Sequence, residues 1–232
     1  MRKNVGIILA NGKGLRLGGD IPKQFLTLAG KSVLEHSIAA FQANPCIDEI
    51  TIVANPTYKE RIESSIAQHH FDKVKHIIEG GKERYHSSLN ALRLYAGIDC
   101  NLLIHDAVRP LVSQHIINEV AEALKSFNAV NVAIPVSDTI IETDESKQYI
   151  TNIPERARLY QVQTPQGFRR SVLEQAFSIA MRDELFQATD DCSIIKKYLP
   201  DEPIRMVPGD IHNIKITWPE DLAIAEIWLK NE

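Results

Sequence analysis

Short apolar segments alternate with longer amphipathic segments over residues 5–136, and this alternation constrains the fold more than any other feature. The short segments are bounded by turn residues and are typical of buried strands, whereas the longer ones have helical spacing. The predicted strands are 5–10, 49–54, 75–78, 101–105, 130–136 and 204–207. The predicted helices are 33–41, 56–70, 87–95, 116–127, 172–181, 192–198 and one that begins at 217–220. Because parallel strands need long crossovers, we predict an α/β fold with a Rossmann-like, mostly parallel twisted sheet and helices on both faces.

The alternation breaks between Asp138 and Gln163, where two β-prone segments, 139–143 and 148–151, flank a polar turn. This pattern predicts an inserted β-hairpin that protrudes as an arm. A two-stranded hairpin is marginally stable by itself, so its apolar residues should pack against something, either their own domain or a second copy of the chain. We therefore predict one domain, 1–232, with 138–163 as an inserted dimerisation arm.

The charge balance and the cysteines exclude several classes of protein. The chain has 26 Lys and Arg against 30 Asp and Glu, a formal charge of −4, so it lacks the basic field that a nucleic acid polymer requires. No stretch approaches the ~20 apolar residues of a membrane span, and the first residues do not resemble a secretory signal, so we expect a cytoplasmic protein. The three cysteines form no CxxC pair, which argues against a zinc site or a disulfide framework and predicts buried small apolar residues.

A glycine-rich segment follows the first predicted strand. Glycines at this point let backbone N–H groups approach phosphate oxygens, and Gly12 and Gly14 stand there. The spacing matches neither GxGxxG nor a Walker A loop. Arg16 and Lys23 add cations, which nucleotidyl transfer requires to stabilise charge on the phosphoryl oxygens and on the leaving pyrophosphate. Taken alone, the segment is equally compatible with a charged surface loop.

A second group, 105–110, directly follows the apolar strand 101–104. Asp106 would then lie at the carboxyl end of a strand, where a carboxylate can hold Mg²⁺ against triphosphate oxygens, although it could also be an ordinary turn residue. Arg109 is either an ion-pair partner of Asp106 or a second phosphate ligand. His105 is expected to be a packing residue.

Six motifs, taken together and in chain order, resemble the 2-C-methyl-D-erythritol 4-phosphate cytidylyltransferases and their relatives, the ribitol-5-phosphate cytidylyltransferases. The motifs are 9–16 with 22–25, 80–84 with Ser87, 105–110, 135–139, 163–166 and 213–222. The resemblance implies a transferase, active in isoprenoid biosynthesis, that converts CTP and a polyol phosphate to a CDP-alcohol and pyrophosphate with Mg²⁺. It also implies a homodimer.

The resemblance assigns roles to individual residues. Arg16 and Lys23 match the catalytic cations, and Gly12 and Gly14 match the loop that cradles the triphosphate. The other implied roles are Gly80, Arg84 and Ser87 near the cytosine and ribose, Asp106 at the magnesium ion, and Arg109, Thr139, Arg156 and Lys215 at the acceptor. Thr139 and Arg156 would be delivered by the arm of the neighbouring subunit.

The acceptor is less strongly specified than the reaction. Residues 153–166 look as much like the ribitol-phosphate enzymes as like the methylerythritol-phosphate enzymes, whereas 210–221 favour methylerythritol phosphate, which we take as the first prediction. The alternatives are a ribitol-5-phosphate cytidylyltransferase that makes CDP-ribitol for surface polymers and a non-catalytic nucleotide-binding homologue. Position 11 is Asn where many members have Ala or Gly.

Overall fold

The computed structural model describes residues 2–12 and 21–230. The strands are β1 Lys3–Ala10, β2 Thr27–Leu28, β3 Lys31–Ser32, β4 Glu49–Ala54, β5 Val74–Glu79, β6 Cys100–Asp106, β7 Ala129–Pro135, β8 Glu142–Thr143, β9 Ile150–Asn152, β10 Tyr160–Arg169 and β11 Ile204–Pro208. The helices are α1 Val33–Ala43, α2 Lys59–His69, α3 Arg84–Leu94, α4 Gln114–Ala123, α5 Arg170–Ala180, α6 Asp191–Tyr198 and α7 Pro219–Lys230. The predicted α/β class is confirmed.

Within these residues, seven strands form one sheet in the order β11-β7-β10-β6-β1-β4-β5. β10 runs antiparallel to both of its neighbours, and every other neighbouring pair is parallel. The carboxyl ends of β6, β1, β4 and β5 therefore lie side by side at one edge of the sheet. In α/β proteins this edge is where ligands bind.

The strand β10 was not predicted, because its sequence contains Pro165 and Gly167, which weaken a strand pattern. The structure accommodates them in a register irregularity in the pairing with β7 between Gln163 and Gly167. Tertiary pairing on both sides thus makes a central strand from a segment whose local pattern does not indicate one.

Successive side chains of β1 point to opposite faces of the sheet, so the hydrophobic core has one part on each face. Ile8 belongs to the cluster that also contains Phe41 of α1, whereas Ile7 belongs to the cluster that contains Phe168 and the residues of α5. Gly6 is required where β1 meets α1, because a Cβ at this position would lie 2.5 Å from the Phe41 ring. Burial of each large side chain contributes on the order of 1.5–3 kcal/mol, so both faces hold the sheet between helices.

The hairpin is present, but its strands β8 and β9 are only two and three residues long. They pair with each other in a separate sheet, and the chain returns to the main sheet at Tyr160, which pairs with Pro135. The arm keeps its large apolar side chains exposed, with 70% exposure at Tyr149 and 59% at both Ile150 and Ile153. These side chains are therefore not buried against their own domain.

Two further expectations concern membranes and cysteines. In the described part of the chain, every helix is too short or too polar to cross a bilayer. Cys100 and Cys192 are buried, as expected, but the expectation of burial is wrong for Cys46, which lies in the exposed turn between α1 and β4. Burial raises the pKa of the Cys100 thiol to about 11.

Candidate active site

A cavity of about 890 Å³ opens at the carboxyl edge of β6, β1, β4 and β5. Seven of the sequence-predicted site residues line it together: Gly12, Lys23, Gly80, Arg84, Ser87, Asp106 and Lys215. These residues are separated by up to about two hundred positions in the chain, and the sheet topology brings them to one place. The predicted Gly14 and Arg16 lie outside the described residues.

Asp106, the last residue of β6, is held between two cations. Its Oδ1 accepts from Arg84 Nε at 3.0 Å and its Oδ2 accepts from Lys215 Nζ at 2.7 Å. Burial by itself would raise the pKa of Asp106, but the two cations outweigh burial and hold this pKa far below its usual range. The cavity therefore contains a carboxylate that is ionised at every physiological pH.

Arg84 has a second carboxylate partner that sequence reasoning missed. Its Nη1 donates to Asp191 Oδ2 at 2.6 Å, and Asp191 is completely buried. Burial alone would lower the pKa of Arg84, but Asp191 and Asp106 raise it above its ordinary value. The local sequence indicates only a helix start, because Asp190 and Ser193 form a capping box that begins α6 at Asp191 rather than at Cys192, and it does not indicate the contact with Arg84.

Hydrogen bonds of two buried side chains, Asn213 and Arg109, hold the segment that carries Lys215. Asn213 is buried, and its Nδ2 donates to Gln163 Oε1 and to the Thr164 carbonyl at 3.1 and 2.9 Å. Arg109 donates to the Asn213 carbonyl at 2.7 Å and to the Val162 carbonyl at 3.2 Å. The predicted acceptor residue Arg109 is thus buried behind the cavity wall, where it joins β10 to the Lys215 segment.

His105 is a positioning group with a defined tautomer. Its Nε2 lies 3.0 Å from the Arg109 carbonyl, which only accepts, so Nε2 carries the proton and Nδ1 accepts from the Thr164 hydroxyl. The same hydroxyl accepts from the Asp106 N–H at 3.1 Å. Complete burial lowers the pKa of His105 to about 4, so the ring is neutral near pH 7 and fixes the end of β6.

The glycine segments are held by amide side chains. Gln24 is buried and donates to the carbonyls of Ala10 and Gly12 at 2.7 and 3.1 Å, which secures the end of β1. The neighbouring Lys23 is buried too, and its Nζ donates to the Ile216 carbonyl at 3.3 Å. Residues 23–24 thus connect the first strand to the Lys215 segment.

Thr139 and Arg156 do not line the cavity; both are exposed near the base of the arm. Arg156 Nη1 donates to the Ser137 carbonyl at 3.1 Å, two residues before Thr139. The two predicted acceptor residues are therefore close to each other but separate from the cavity of their own chain.

The mostly parallel sheet and a cation-lined cavity at its carboxyl edge define an α/β nucleotide-binding enzyme. Comparisons with known proteins identify the family. Residues 5–231 match the model of the IspD family, described as 2-C-methyl-D-erythritol 4-phosphate cytidylyltransferase. The chain belongs to this family and is a cytidylyltransferase, so the resemblance and the enzyme class predicted from the sequence are confirmed.

Individual relatives are similar over nearly the whole chain. The 2-C-methyl-D-erythritol 4-phosphate cytidylyltransferase of Thermobifida fusca is 44% identical over 96% of this chain and 92% of that protein. The bifunctional ribulose 5-phosphate reductase/CDP-ribitol pyrophosphorylase Bcs1 of Haemophilus influenzae is 47% identical over 97% of this chain and 48% of that protein. The crystal structure of 4-diphosphocytidyl-2C-methyl-D-erythritol synthase from Anaerococcus prevotii superposes with a TM-score of 0.86 at 28% identity and covers 99% of each chain.

Proposed function

We propose that the protein transfers the cytidylyl group of CTP to 2-C-methyl-D-erythritol 4-phosphate and releases pyrophosphate. The observation that carries this proposal is one cavity in which Arg84 and Lys215 flank the ionised Asp106, and which Lys23 and two glycine segments also line. A polyanionic triphosphate and a phosphorylated acceptor both require such cations. The match of residues 5–231 to the family model and the similarity to the T. fusca enzyme support the same acceptor.

The proposed reaction is one in-line displacement. An oxygen of the acceptor phosphate attacks the α-phosphorus of CTP, a new P–O bond forms, and the bond to the bridging oxygen of the β-phosphate breaks, so pyrophosphate leaves with that electron pair. The acceptor oxygen is already ionised at neutral pH, and no covalent intermediate with the protein is needed. Lys23 and Arg16 are proposed to stabilise the charge that grows on the phosphoryl oxygens, with Gly12 and Gly14 cradling the triphosphate.

We propose Mg²⁺ as the divalent cation, with Asp106 as its protein ligand. The fit rests on a buried, ionised carboxylate that lines the cavity, because Mg²⁺ in nucleotide sites is typically bound by one or two carboxylates and substrate phosphates. When bound, the cation neutralises charge on the triphosphate. The Lys215 side chain is 43% exposed, so it is the partner that can leave Asp106 for an acceptor phosphate.

The acceptor side is proposed to be completed by a second subunit in a homodimer. The arm exposes Tyr149, Ile150 and Ile153, which is the type of surface that packs against a partner. Thr139 and Arg156 at its base would then reach the partner's acceptor phosphate, while Lys215 binds it from its own chain. Arg109 supports the acceptor side through the Lys215 segment that it holds.

A mixing experiment tests the shared site. An Arg156→Ala chain and a Lys215→Ala chain should each be nearly inactive alone. If the arm acts in trans, a mixed dimer has one site with both defects and one with neither, so activity recovers in part after subunit exchange. Mixing two preparations of the Arg156→Ala chain is the matched control. Exchange without recovery would show that Arg156 serves its own chain.

The second candidate acceptor is ribitol 5-phosphate, favoured by the 47% identity to the protein named for CDP-ribitol pyrophosphorylase. Both acceptors present the same phosphate, so discrimination depends on the methyl branch and the hydroxyl groups. A methyl contact contributes about 1–3 kcal/mol, whereas unpaired polar groups in a hydroxyl site are penalised more strongly.

The deciding assay is pyrophosphate release from CTP and Mg²⁺ with the two acceptors in competition, read as the ratio of kcat/KM. A strong preference for ribitol 5-phosphate would reverse our first choice. CTP binding without turnover on any polyol phosphate would instead support a non-catalytic homologue.

A further inference from the structure

The cavity has two chemically different ends. At the carboxyl end of β6, Arg84 and Lys215 flank Asp106; we call these three residues the cationic end. After β1, β4 and β5 the lining includes amides and glycines; we call Asn11, Asn55, Gly80 and Gly81 the amide end, and the neighbouring Glu79, Lys82 and Glu83 also line the cavity. β5 lies three strands from β6, so the glycines that follow β5 begin about 14 Å from the end of β6 at the usual strand spacing, and the side chain of Asn11, which follows β1, reaches them. With the divalent cation proposed at Asp106, the triphosphate belongs at the cationic end, which leaves the amide end for the uncharged base.

The side chain of Asn11 has a fixed orientation at the amide end. Its Nδ2 donates to the Gly81 carbonyl at 2.7 Å, and because a carbonyl only accepts, the amide oxygen must be at the other position. A Cβ on Gly80 would lie 2.2 Å from the Asn11 Cγ, so glycine at position 80 is what lets Asn11 pack against this loop. Asn11 is thus built into the cavity wall.

Three other polar groups of the amide end are already paired. The Gly81 N–H donates to Ser87 Oγ at 3.1 Å, and the Gly80 N–H donates to the Ala54 carbonyl at 2.9 Å. The Asn55 Oδ1 accepts from the Thr57 N–H at 2.9 Å. By contrast, no residue in 2–12 or 21–230 donates to the Oδ1 of Asn11. Among the described residues, this oxygen is therefore an amide acceptor that a ligand can use.

We propose that Asn11 Oδ1 accepts a hydrogen bond from the exocyclic amino group of the base and so selects a 4-aminopyrimidine over a 4-oxopyrimidine. Cytosine carries an amino donor at C4, where uracil carries a carbonyl that would face the Asn11 oxygen acceptor to acceptor. A site with a buried hydrogen-bonding group discriminates strongly against an analogue that cannot pair with it. The inference deepens the proposed function, on which it rests for the identity of the nucleotide.

Binding measurements test this inference without requiring turnover. Calorimetry gives the Kd of CTP, UTP and the triphosphate of 2-pyrimidinone riboside, which lacks any group at C4. The wild type should bind CTP more tightly than both analogues. In Asn11→Ala, the preference for CTP over UTP should fall by about tenfold or more, and CTP and the 2-pyrimidinone analogue should bind alike.

Asn90→Ala is the matched control. Asn90 Nδ2 donates to the Glu79 carbonyl at 3.0 Å from outside the cavity, so its loss removes an equivalent amide contact to the same loop. The ratio of the CTP and UTP Kd values should stay within about twofold of wild type in this variant, since no ligand contact is lost. If Asn11→Ala also leaves that ratio unchanged, or if both variants change it equally, Asn11 only holds the loop and the inference is wrong.

A second readout separates this inference from the proposed function. Absence of pyrophosphate release by the wild type with every polyol phosphate would overturn the proposed function, while the Kd ratios would still report on Asn11. Should Asn11→Ala fail to fold, Asn11→Gly takes its place in the same measurements. Equal binding of CTP and the 2-pyrimidinone analogue by the wild type would overturn the role of Asn11.

Discussion

Removal of the Asp191 carboxylate should destabilise the protein through Arg84. Asp191 has no exposed surface, and its Oδ2 lies 2.6 Å from Arg84 Nη1. Breaking a buried ion pair costs about 3–5 kcal/mol when one partner is left buried and unpaired. Because Arg84 keeps Asp106 as a second partner, we expect the lower end, about 3 kcal/mol, for Asp191→Ala. At this chain length, that loss corresponds to a fall in Tm of about 6–12 °C.

The isosteric Asp191→Asn variant separates charge from hydrogen bonding. Its amide oxygen still accepts from Arg84, so only the difference between a charged and a neutral hydrogen bond is lost, about 1–2 kcal/mol. The backbone N–H of Asp191 keeps its bond to Gln166 Oε1 in both variants. The two variants should therefore rank in the order wild type, Asn, Ala.

A double-mutant cycle tests whether the ion pair between Asp191 and Arg84 causes the loss of stability. The free energy of unfolding is measured in urea by circular dichroism for wild type, Asp191→Ala, Arg84→Met and the double variant. If the ion pair carries the effect, Asp191→Ala costs less in the Arg84→Met background by about 1–3 kcal/mol. An equal cost in both backgrounds would mean that Asp191 acts through its own packing, and the reasoning from the ion pair fails.

The remaining predictions concern catalysis and pH. Lys23→Ala should lower kcat about 100-fold with a smaller change in the KM for CTP, since a cation opposite growing charge acts mainly on the transition state; Lys59→Ala, an exposed lysine on α2, is the control. His105 should make stability fall as pH decreases, because its folded pKa of about 4 lies below the unfolded value near 6.5 and the unfolded chain then binds the extra proton. This loss, about 3 kcal/mol between pH 6.5 and pH 4, should be absent from the urea unfolding of His105→Gln. Asn213→Ala should raise the KM for the acceptor more than that for CTP, because it frees the Lys215 segment.

The strands β1, β4, β6 and β7 were predictable because each contains a short, mostly apolar run bounded by turn residues, and β5 was predicted although it contains Lys75 and His76. β10 was not, because its position between β6 and β7 is decided by pairing partners that lie about thirty to sixty residues earlier in the chain. The register irregularity that tolerates Pro165 is likewise a tertiary property. Local pattern therefore indicated the parallel strands of the sheet and missed the antiparallel strand that lies between β6 and β7.

In the candidate site, too, some residues could be predicted from local pattern and others depend on tertiary structure. Asp106 could be placed at the cavity because it ends an apolar strand, and the structure brings it there. Arg109, three residues later, was predicted as an ion-pair partner of Asp106 or a phosphate ligand, and the turn after β6 directs its guanidinium to the carbonyls of Val162 and Asn213. Asp191 could not be found at all, since its contact with Arg84 joins positions 107 residues apart. The residue types indicated a site for phosphate groups. Only the topology of the folded chain shows which of these side chains face the cavity and which hold its wall in place.

The charges at the cavity indicate what must attract the triphosphate. Arg84 and Lys215 are both held by Asp106, and Asp191 offsets a further share of the Arg84 charge, so this group is close to neutral as a whole. A polyanion gains little from a neutral cluster, because attraction depends on uncompensated charge. Additional positive charge must therefore come from elsewhere, such as the proposed divalent cation and the glycine-rich segment, in which the sequence places Arg16. A phosphate-binding segment in this chain therefore requires cations as well as glycines.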